Sequence, residues 1–477
     1  MHDVLIRNGT VVSPASSDLL DVAISGEAVA ALAPPGQLDP DGAKRVIDAA
    51  NCLVLPGGVD PHVHYSLSFG PVTAETQDYS RAAALGGTTT VIDFALQEPP
   101  NSLHDAIDAK RAEADGRMAV DYSLHAILAG PEIAFETLEE VGDVIRAGIP
   151  TLKTFTTYGW MVDDGYRYGL MCEVAEHGGM SVVHAEDDAI ANWLTKKYVR
   201  EGKTHGAYIA ETRGPLVEEA AVRRCMLLAE RSGSPLYVLH MAAGTAVDAL
   251  AEGRSRGLPF YGETLTPYLS FTAERLWDDE HRGLLWNNYP VLKQREDQET
   301  LWAALADDRL STVGSDHFAL SVADKYERMG TSVESLMAGW PNVELRLPIV
   351  YHLGVAGRRL SINRLVEVVS TNPAKLMGLH PRKGAIEPGS DADITILDPA
   401  RSWTVRHDEL AMSSDYSPWE GWELTGKVTT VLLRGSVIVD GASFIGAPDE
   451  GRFLARTLDP EPDTSAAATP MAFSRRA

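Results

Sequence analysis

The sequence predicts an α/β protein, a TIM (β/α)8 barrel with a small composite β-sandwich domain built from both chain ends. Three observations carry that prediction. Apolar, strand-like runs alternate with helical stretches through the middle of the chain, over about 260 residues, the length and rhythm of eight β/α units. Both ends read instead as strands and turns. Histidines, a lysine and an aspartate recur where the predicted barrel strands finish, which is the catalytic end of such a barrel.

In chain order, residues 4–13 and 21–33 alternate or run apolar around Asn8-Gly9 and Ser25-Gly26-Glu27, residues suited to hairpin turns. Residues 53–64 then form a short apolar run, broken at Gly57 and Gly58 and ending in His62-Val63-His64, read as a first, buried strand. Further strands are expected at 88–93, 119–125, 151–155, 181–184, 235–240, 259–263 and 310–316. Helices are expected at 103–115, 138–147, 169–177 and 218–232. In the last of these, Val222, Cys225, Met226 and Ala229 make a stripe at i, i+3, i+4 and i+7. A helix at 361–379 follows the barrel. Strand-like runs then return at 389–398 and 428–440, the latter with an Arg434-Gly435 turn, and complete the β unit begun at the N-terminus. The expected division is 1–52 and 381–450 for the two parts of the sandwich, 53–380 for the barrel and 451–477 for a flexible tail. A doubly wound open sheet is the alternative architecture.

Composition narrows the function classes. The 477 residues are 44% hydrophobic and 23% charged, a globular balance, and 67 acidic against 42 basic residues leave a net charge of −25. Such a surface repels nucleic acid and anionic membranes, so neither is expected as a partner. Cys52, Cys172 and Cys225 are few, odd in number and widely spaced, which suits a reducing compartment. With no basic-then-apolar leader and no long apolar run, a cytoplasmic location is expected.

Side chains two apart on an extended backbone share a face, so His62 and His64 can meet one ion together. A lone His-x-His is weak, and its weight depends on company. Lys153, His184, His240 and Asp316 supply it at the ends of strands four, five, six and eight. Singly, His184 and His240 read as core histidines, Asp316 as a helix cap and Lys153 as a snorkelling lysine. Jointly, four histidines, an aspartate and a lysine are too many ligands for one tetrahedral ion and suit two. The remaining histidines, His125 among them, are read as surface or packing residues.

These residues also carry a resemblance. Asp60-Pro-His62-Val-His64, Lys153 with Tyr158, Val-His184-Ala-Glu, His240 and Gly314-Ser-Asp316-His317 resemble the signature set of the amidohydrolase superfamily, within it the dihydropyrimidinase/hydantoinase group of cyclic amidases. The likeness extends through Arg81-Ala-Ala-Ala-Leu-Gly-Gly, Glu344-Leu-Arg346 and Asn372-Pro-Ala to Gly389-Ser-Asp-Ala-Asp. It implies two divalent ions per subunit, most simply Zn2+, bridged by Lys153 carboxylated with CO2 or bicarbonate to N6-carboxylysine. His62, His64 and Asp316 hold one ion and His184 and His240 the other. It also implies a homotetramer, or a dimer. The implied reaction opens the amide bond of a dihydropyrimidine, hydantoin or related cyclic imide to an N-carbamoyl amino acid. In it Asp316 moves the proton and the Tyr158 hydroxyl supports the oxyanion.

Two positions depart from the family pattern, which commonly has serine where Tyr289 stands and asparagine near Ala338. Both act in the family largely through backbone groups, so they bear on the pocket more than on the reaction. Tyr65, Phe69 and Trp160, with Tyr158, Phe155, Tyr166, Tyr168 and Tyr289, are expected to form an apolar wall that favours hydrocarbon or aryl substituents. No arginine stands beside His64 to hold a substrate carboxylate as in dihydroorotases. Allantoinase stays as the enzyme alternative, and a non-catalytic dihydropyrimidinase-like scaffold protein as the reading from another class, opposed by the complete ligand set.

Overall fold

In the computed structural model, which describes residues 2–278, 282–328 and 330–459, eight parallel strands follow one another in chain order around a barrel. They are Gly58–Asp60, Thr88–Gln97, Asp121–Leu128, Thr151–Phe155, Met180–His184, Leu236–Val238, Phe260–Leu265 and Thr312–Gly314. All eight lie where the apolar runs placed them. The ring closes just past the first and last strands, where Val63 bridges His317 in parallel and the His64 N–H donates to the His317 carbonyl at 2.8 Å. An open doubly wound sheet would leave those strands as edges, so closure rules it out.

The expected first strand is in fact two. Leu53–Pro56 pairs with His2–Val12 and Ile394–Thr404 in the other sheet, and only Gly58–Asp60 joins the barrel. The chain changes sheets at Gly57, where an added Cβ would lie 2.2 Å from Thr89 Oγ1, so no larger residue fits the crossing.

That other sheet has nine strands drawn from both chain ends, and the N-terminal and C-terminal parts meet along Leu53–Pro56. It closes over Val4, Ile6, Val22, Ile24, Val54, Ile394, Ile396 and Leu432. Gly26 and the Arg434-Gly435 pair turn as expected, with positive φ of 60°, 44° and 80°. Asn8-Gly9 does not turn the chain. It is a bulge inside His2–Val12, with Asn8 at φ 62° and its N–H donating to Asp21 Oδ1 at 2.9 Å. The left-handed conformation that Asn-Gly favours serves a bulge as well as a turn, and pairing with Ser17–Ser25 decides between them.

Local chemistry explains the helices. Ser102 and Asp105 form a capping box on Leu103–Ala114. Pro215 opens and left-handed Gly233 closes Pro215–Ser232, whose stripe Val222, Cys225, Met226 and Ala229 is buried as expected. The expected helix at 361–379 is Ile362–Val366, a widened π turn Glu367–Thr371, and Asn372–Leu376. Pro373 cannot donate to the Val369 carbonyl four residues back, and buried Arg346 does so instead through Nη2 at 3.2 Å.

Residues 451–459, expected to begin a loose tail, pack under the barrel. The Leu454 N–H donates to Tyr122 O at 2.7 Å and the Arg456 N–H to Gly148 O at 2.9 Å. Arg456, 1% exposed, donates to Ser123 Oγ, Thr151 Oγ1 and Leu124 O near the N-terminal ends of the third and fourth strands, and to Met377 O, which caps the helix Asn372–Leu376. One buried cation meeting several strand-end acceptors outweighs the polar composition that suggested looseness. Residues 460–477 lie outside the described residues.

Candidate active site

At the opposite, C-terminal end of the barrel the predicted ligands converge. His62 and His64 follow the first strand, with ring centroids 5.1 Å apart. Their Nε2 atoms lie 3.0 and 3.1 Å from the same Oδ1 of Asp316, which follows the eighth strand. These three residues offer ligand atoms within 4.8 Å of one another. His62 Nε2 is fully buried yet has no partner in hydrogen-bond geometry, as expected of a nitrogen shaped for a cation. His184 ends the fifth strand and His240 lies just past the sixth; their rings are 4.4 Å apart, and His240 is 5.4 Å from His62. Lys153, in the fourth strand and 2% exposed, sets its amine over Phe94 at 4.2 Å and Phe155 at 4.7 Å, and no carboxylate among the described residues pairs with it. Burial pulls its pKa down to about 8, against the opposing pull of Asp316 and Glu263.

The surrounding groups orient these side chains. Fully buried Glu263, on the seventh strand, accepts from His62 Nδ1 at 2.7 Å, from the His240 N–H at 3.2 Å and from the Tyr237 hydroxyl at 3.1 Å. Holding Nδ1–H fixes the tautomer and aims His62 Nε2 at Asp316. Asp60 takes the His62 and Ser315 N–H groups at 3.2 and 3.1 Å and sits 3.5 Å from Arg346 Nε, tying the first strand to the eighth beneath the ligands. Tyr158, His240 and Asp316 have left-handed backbones, with φ of 65°, 39° and 49°. Such conformations cost about 1–3 kcal/mol each and persist only where the surroundings over-determine them.

A cavity of about 80 Å3 opens on this cluster. His64, Lys153, His184, His240 and Asp316 line its floor; Phe69, Phe155, Tyr158, Trp160, Tyr289 and Ala338 stand in its wall with Leu67, Phe318 and Met337. Phe69 meets Trp160 edge-on at 5.1 Å, and Phe155 lies 5.2 Å from the same ring. Three expected wall residues are absent from it. Tyr65 is wholly buried beside His317, because the alternation that turns His64 inward turns Tyr65 away. Tyr166 and Tyr168 belong to helix Asp164–Glu176, started by an Asp163 cap, and so leave the loop in which they were placed.

The Tyr158 hydroxyl reaches into the cavity wall, 2.9 Å from Glu186 Oε2 and 3.1 Å from His184 Nε2. Burial disfavours charge on Glu186, but Arg213, 3.0 Å away, together with His184 and Lys293 outweighs it and holds the carboxyl down at about 2. The same guanidinium lies over the Tyr158 ring at 5.1 Å and the Tyr289 ring at 4.8 Å. Glu186 stood within the Val-His184-Ala-Glu motif without a role assigned. Glu263 closes the predicted strand 259–263 without a role assigned; Arg213 and Asn288, whose Nδ2 donates to Asp316 Oδ2 at 2.8 Å, stand far from any predicted strand end and gave no signal. His125 packs as expected, stacked on Phe94 at 4.6 Å.

The arrangement can hold cations beside a carboxylate and a buried amine whose pKa is drawn down to about 8, under a hydroxyl donor and an apolar wall. Comparison with known proteins agrees in kind. The model of the amidohydrolase family matches residues 53–438. A D-hydantoinase of Geobacillus stearothermophilus is 37% identical over 458 residues, which cover 95% of this chain and 96% of that protein. A D-phenylhydantoinase of Escherichia coli K12 is 33% identical over 95% of this chain and 98% of its own length. The solved structure of a D-hydantoinase from Bacillus sp. AR9 superposes with a TM-score of 0.90 at 38% identity, over 96% of this chain and 99% of that one.

Proposed function

The chain belongs to the amidohydrolase family, and on that premise we propose that it is a metal-dependent hydrolase that opens the amide bond of a cyclic amide, a hydantoin, dihydropyrimidine or related imide. The observation that carries the reading is the convergence of His62 and His64 Nε2 on one oxygen of Asp316, with Lys153 buried beside them at the floor of an aromatic cavity. His62, His64 and Asp316 would hold one divalent ion and His184 and His240 a second, zinc by this reading. Lys153, carboxylated by CO2, would bridge them. Burial that draws this amine down to about 8 enlarges its neutral fraction, the form that adds CO2. Once bound, such ions supply Lewis acidity and lower the pKa of water.

The protein's own groups do the rest. Asp316, steadied by Asn288 on one oxygen, takes the proton of the attacking water and returns it to the departing ring nitrogen. The Tyr158 hydroxyl, which donates its single proton to Glu186 in the free site, would turn that proton to the oxygen that gains charge as the ring carbonyl becomes tetrahedral. The backbones of Tyr289 and Ala338 face the ring's amide edge, and Phe69, Phe155 and Trp160 receive the substituent. The product is of the N-carbamoyl amino acid type. Free cysteines suit the cytoplasm, and the family resemblance supports a homotetramer or dimer. Among the described residues no helix is long and apolar enough to cross a membrane.

Ring opening across a panel of dihydrouracil, alkyl and aryl hydantoins, cyclic imides, allantoin and dihydroorotate tests the proposal. The apolar wall predicts the highest kcat/KM for an alkyl- or aryl-substituted ring. Allantoin ranking first would replace the proposal with allantoinase, and no turnover of any member by metal-loaded protein would end it.

A further inference from the structure

Behind the cavity lies a lysine that the reaction does not use. Lys325, 3% exposed, directs its amine into three backbone carbonyls, those of Leu285 and Asn287 at 3.0 Å and of Gly339 at 2.8 Å. Three donors meet three acceptors, and no carboxylate among the described residues pairs with the charge. Burial alone pulls the amine down to about 7. A buried cation without a counterion is costly, and it persists here between two segments that both reach the reacting centre.

Those segments are 285–289 and 336–339. Asn287 Nδ2 donates to Met337 O at 3.1 Å, the Tyr289 hydroxyl to Leu336 O at 3.1 Å, and the Gly339 N–H to Asn288 Oδ1 at 3.0 Å. The amide so oriented presents Asn288 Nδ2 to Asp316 Oδ2 at 2.8 Å. Asn288, Tyr289, Met337, Ala338 and Gly339 all line the cavity. The two strips therefore form one wall, and Lys325 is the point behind it at which both are held.

We infer that Lys325 is a positioning residue: its amine clamps the two strips so that Asn288 orients Asp316 and the backbone beside Ala338 meets the substrate ring. The inference rests on the cyclic-amidase reading for its kinetic part, whereas the clamp itself is testable without substrate. Lys325→Met keeps the apolar stem and removes the donors. Lys325→Gln keeps part of the donor set and serves if the first variant does not accumulate folded.

Two measurements decide. Amide hydrogen exchange by mass spectrometry should quicken in peptides spanning 285–289 and 336–339, with the barrel strands unchanged. For a hydantoin opened by the wild type, kcat/KM should fall about tenfold or more, with both a raised KM and a lowered kcat. Combining Lys325→Met with Asn288→Ala should lower kcat no further than the larger single loss, because both act through Asp316. Wild-type exchange in both peptides, or kcat losses that multiply in the double variant, would overturn the assignment. If the wild type opens no cyclic amide, the function reading fails separately and the exchange result still decides the clamp.

Discussion

Gly314 offers the sharpest test of how the proposed ligands are aimed. A Cβ there would lie 2.5 Å from Glu263 Oε2 and 2.7 Å from its Cδ. Relieving the clash to an ordinary contact near 3.4 Å moves the carboxylate by about 0.9 Å. The position is fully buried, and Glu263 cannot swing to solvent because His62 Nδ1, the His240 N–H and the Tyr237 hydroxyl hold it. Moving Oε2 by that amount disturbs its 3.1 Å bond from the Tyr237 hydroxyl and, because the carboxylate is rigid, carries Oε1 out of its 2.7 Å alignment with His62 Nδ1. A hydrogen bond to a charged group contributes about 1.5–3 kcal/mol, and overpacking costs a further 1–3 kcal/mol. Gly314→Ala should therefore lower the melting temperature and weaken metal affinity by about 10- to 100-fold, the usual cost of disturbing a group that orients a ligand. Competition with a chelator of known affinity, beside a thermal melt, measures both. Wild-type affinity and stability together would refute the role given to Glu263.

Lys153→Ala should abolish turnover, and added short carboxylic acids should restore part of it by filling the bridge; near-normal activity without them would remove Lys153 from the centre. Asp316→Asn should stay folded with kcat down by about 10² or more, as for loss of a positioned acid/base, and substantial turnover would reassign the proton carrier. Trp160→Ala should cost an aryl hydantoin about 1–2 kcal/mol in kcat/KM, roughly 5- to 30-fold, and an unsubstituted ring far less; equal losses would show that the wall does not select the substituent. Arg456→Met should destabilise by about 2 kcal/mol or more, because Leu124 O and Met377 O lose their donor beneath the barrel, while kcat/KM at the opposite end stays within twofold. An unchanged melt would return residues 451–459 to the tail.

What the sequence determined by itself is whatever short-range pattern determines. Alternating apolar runs and capped helices specify eight β/α units, and a ligand at the end of a strand inherits its direction from that strand. His62, His64, Lys153, His184, His240 and Asp316 were therefore legible together as one cluster. The split of 53–64 between two sheets was not legible, because it depends on Thr89 lying against Gly57. Nor was the burial of Arg456 under the strands, or the reach of Asn288 to Asp316 and of Lys325 to three carbonyls. In each of these a loop or terminal side chain finds a partner distant in sequence, and no local period encodes that distance. Tertiary closure decided them, because a buried polar group settles wherever the folded chain brings an acceptor within reach.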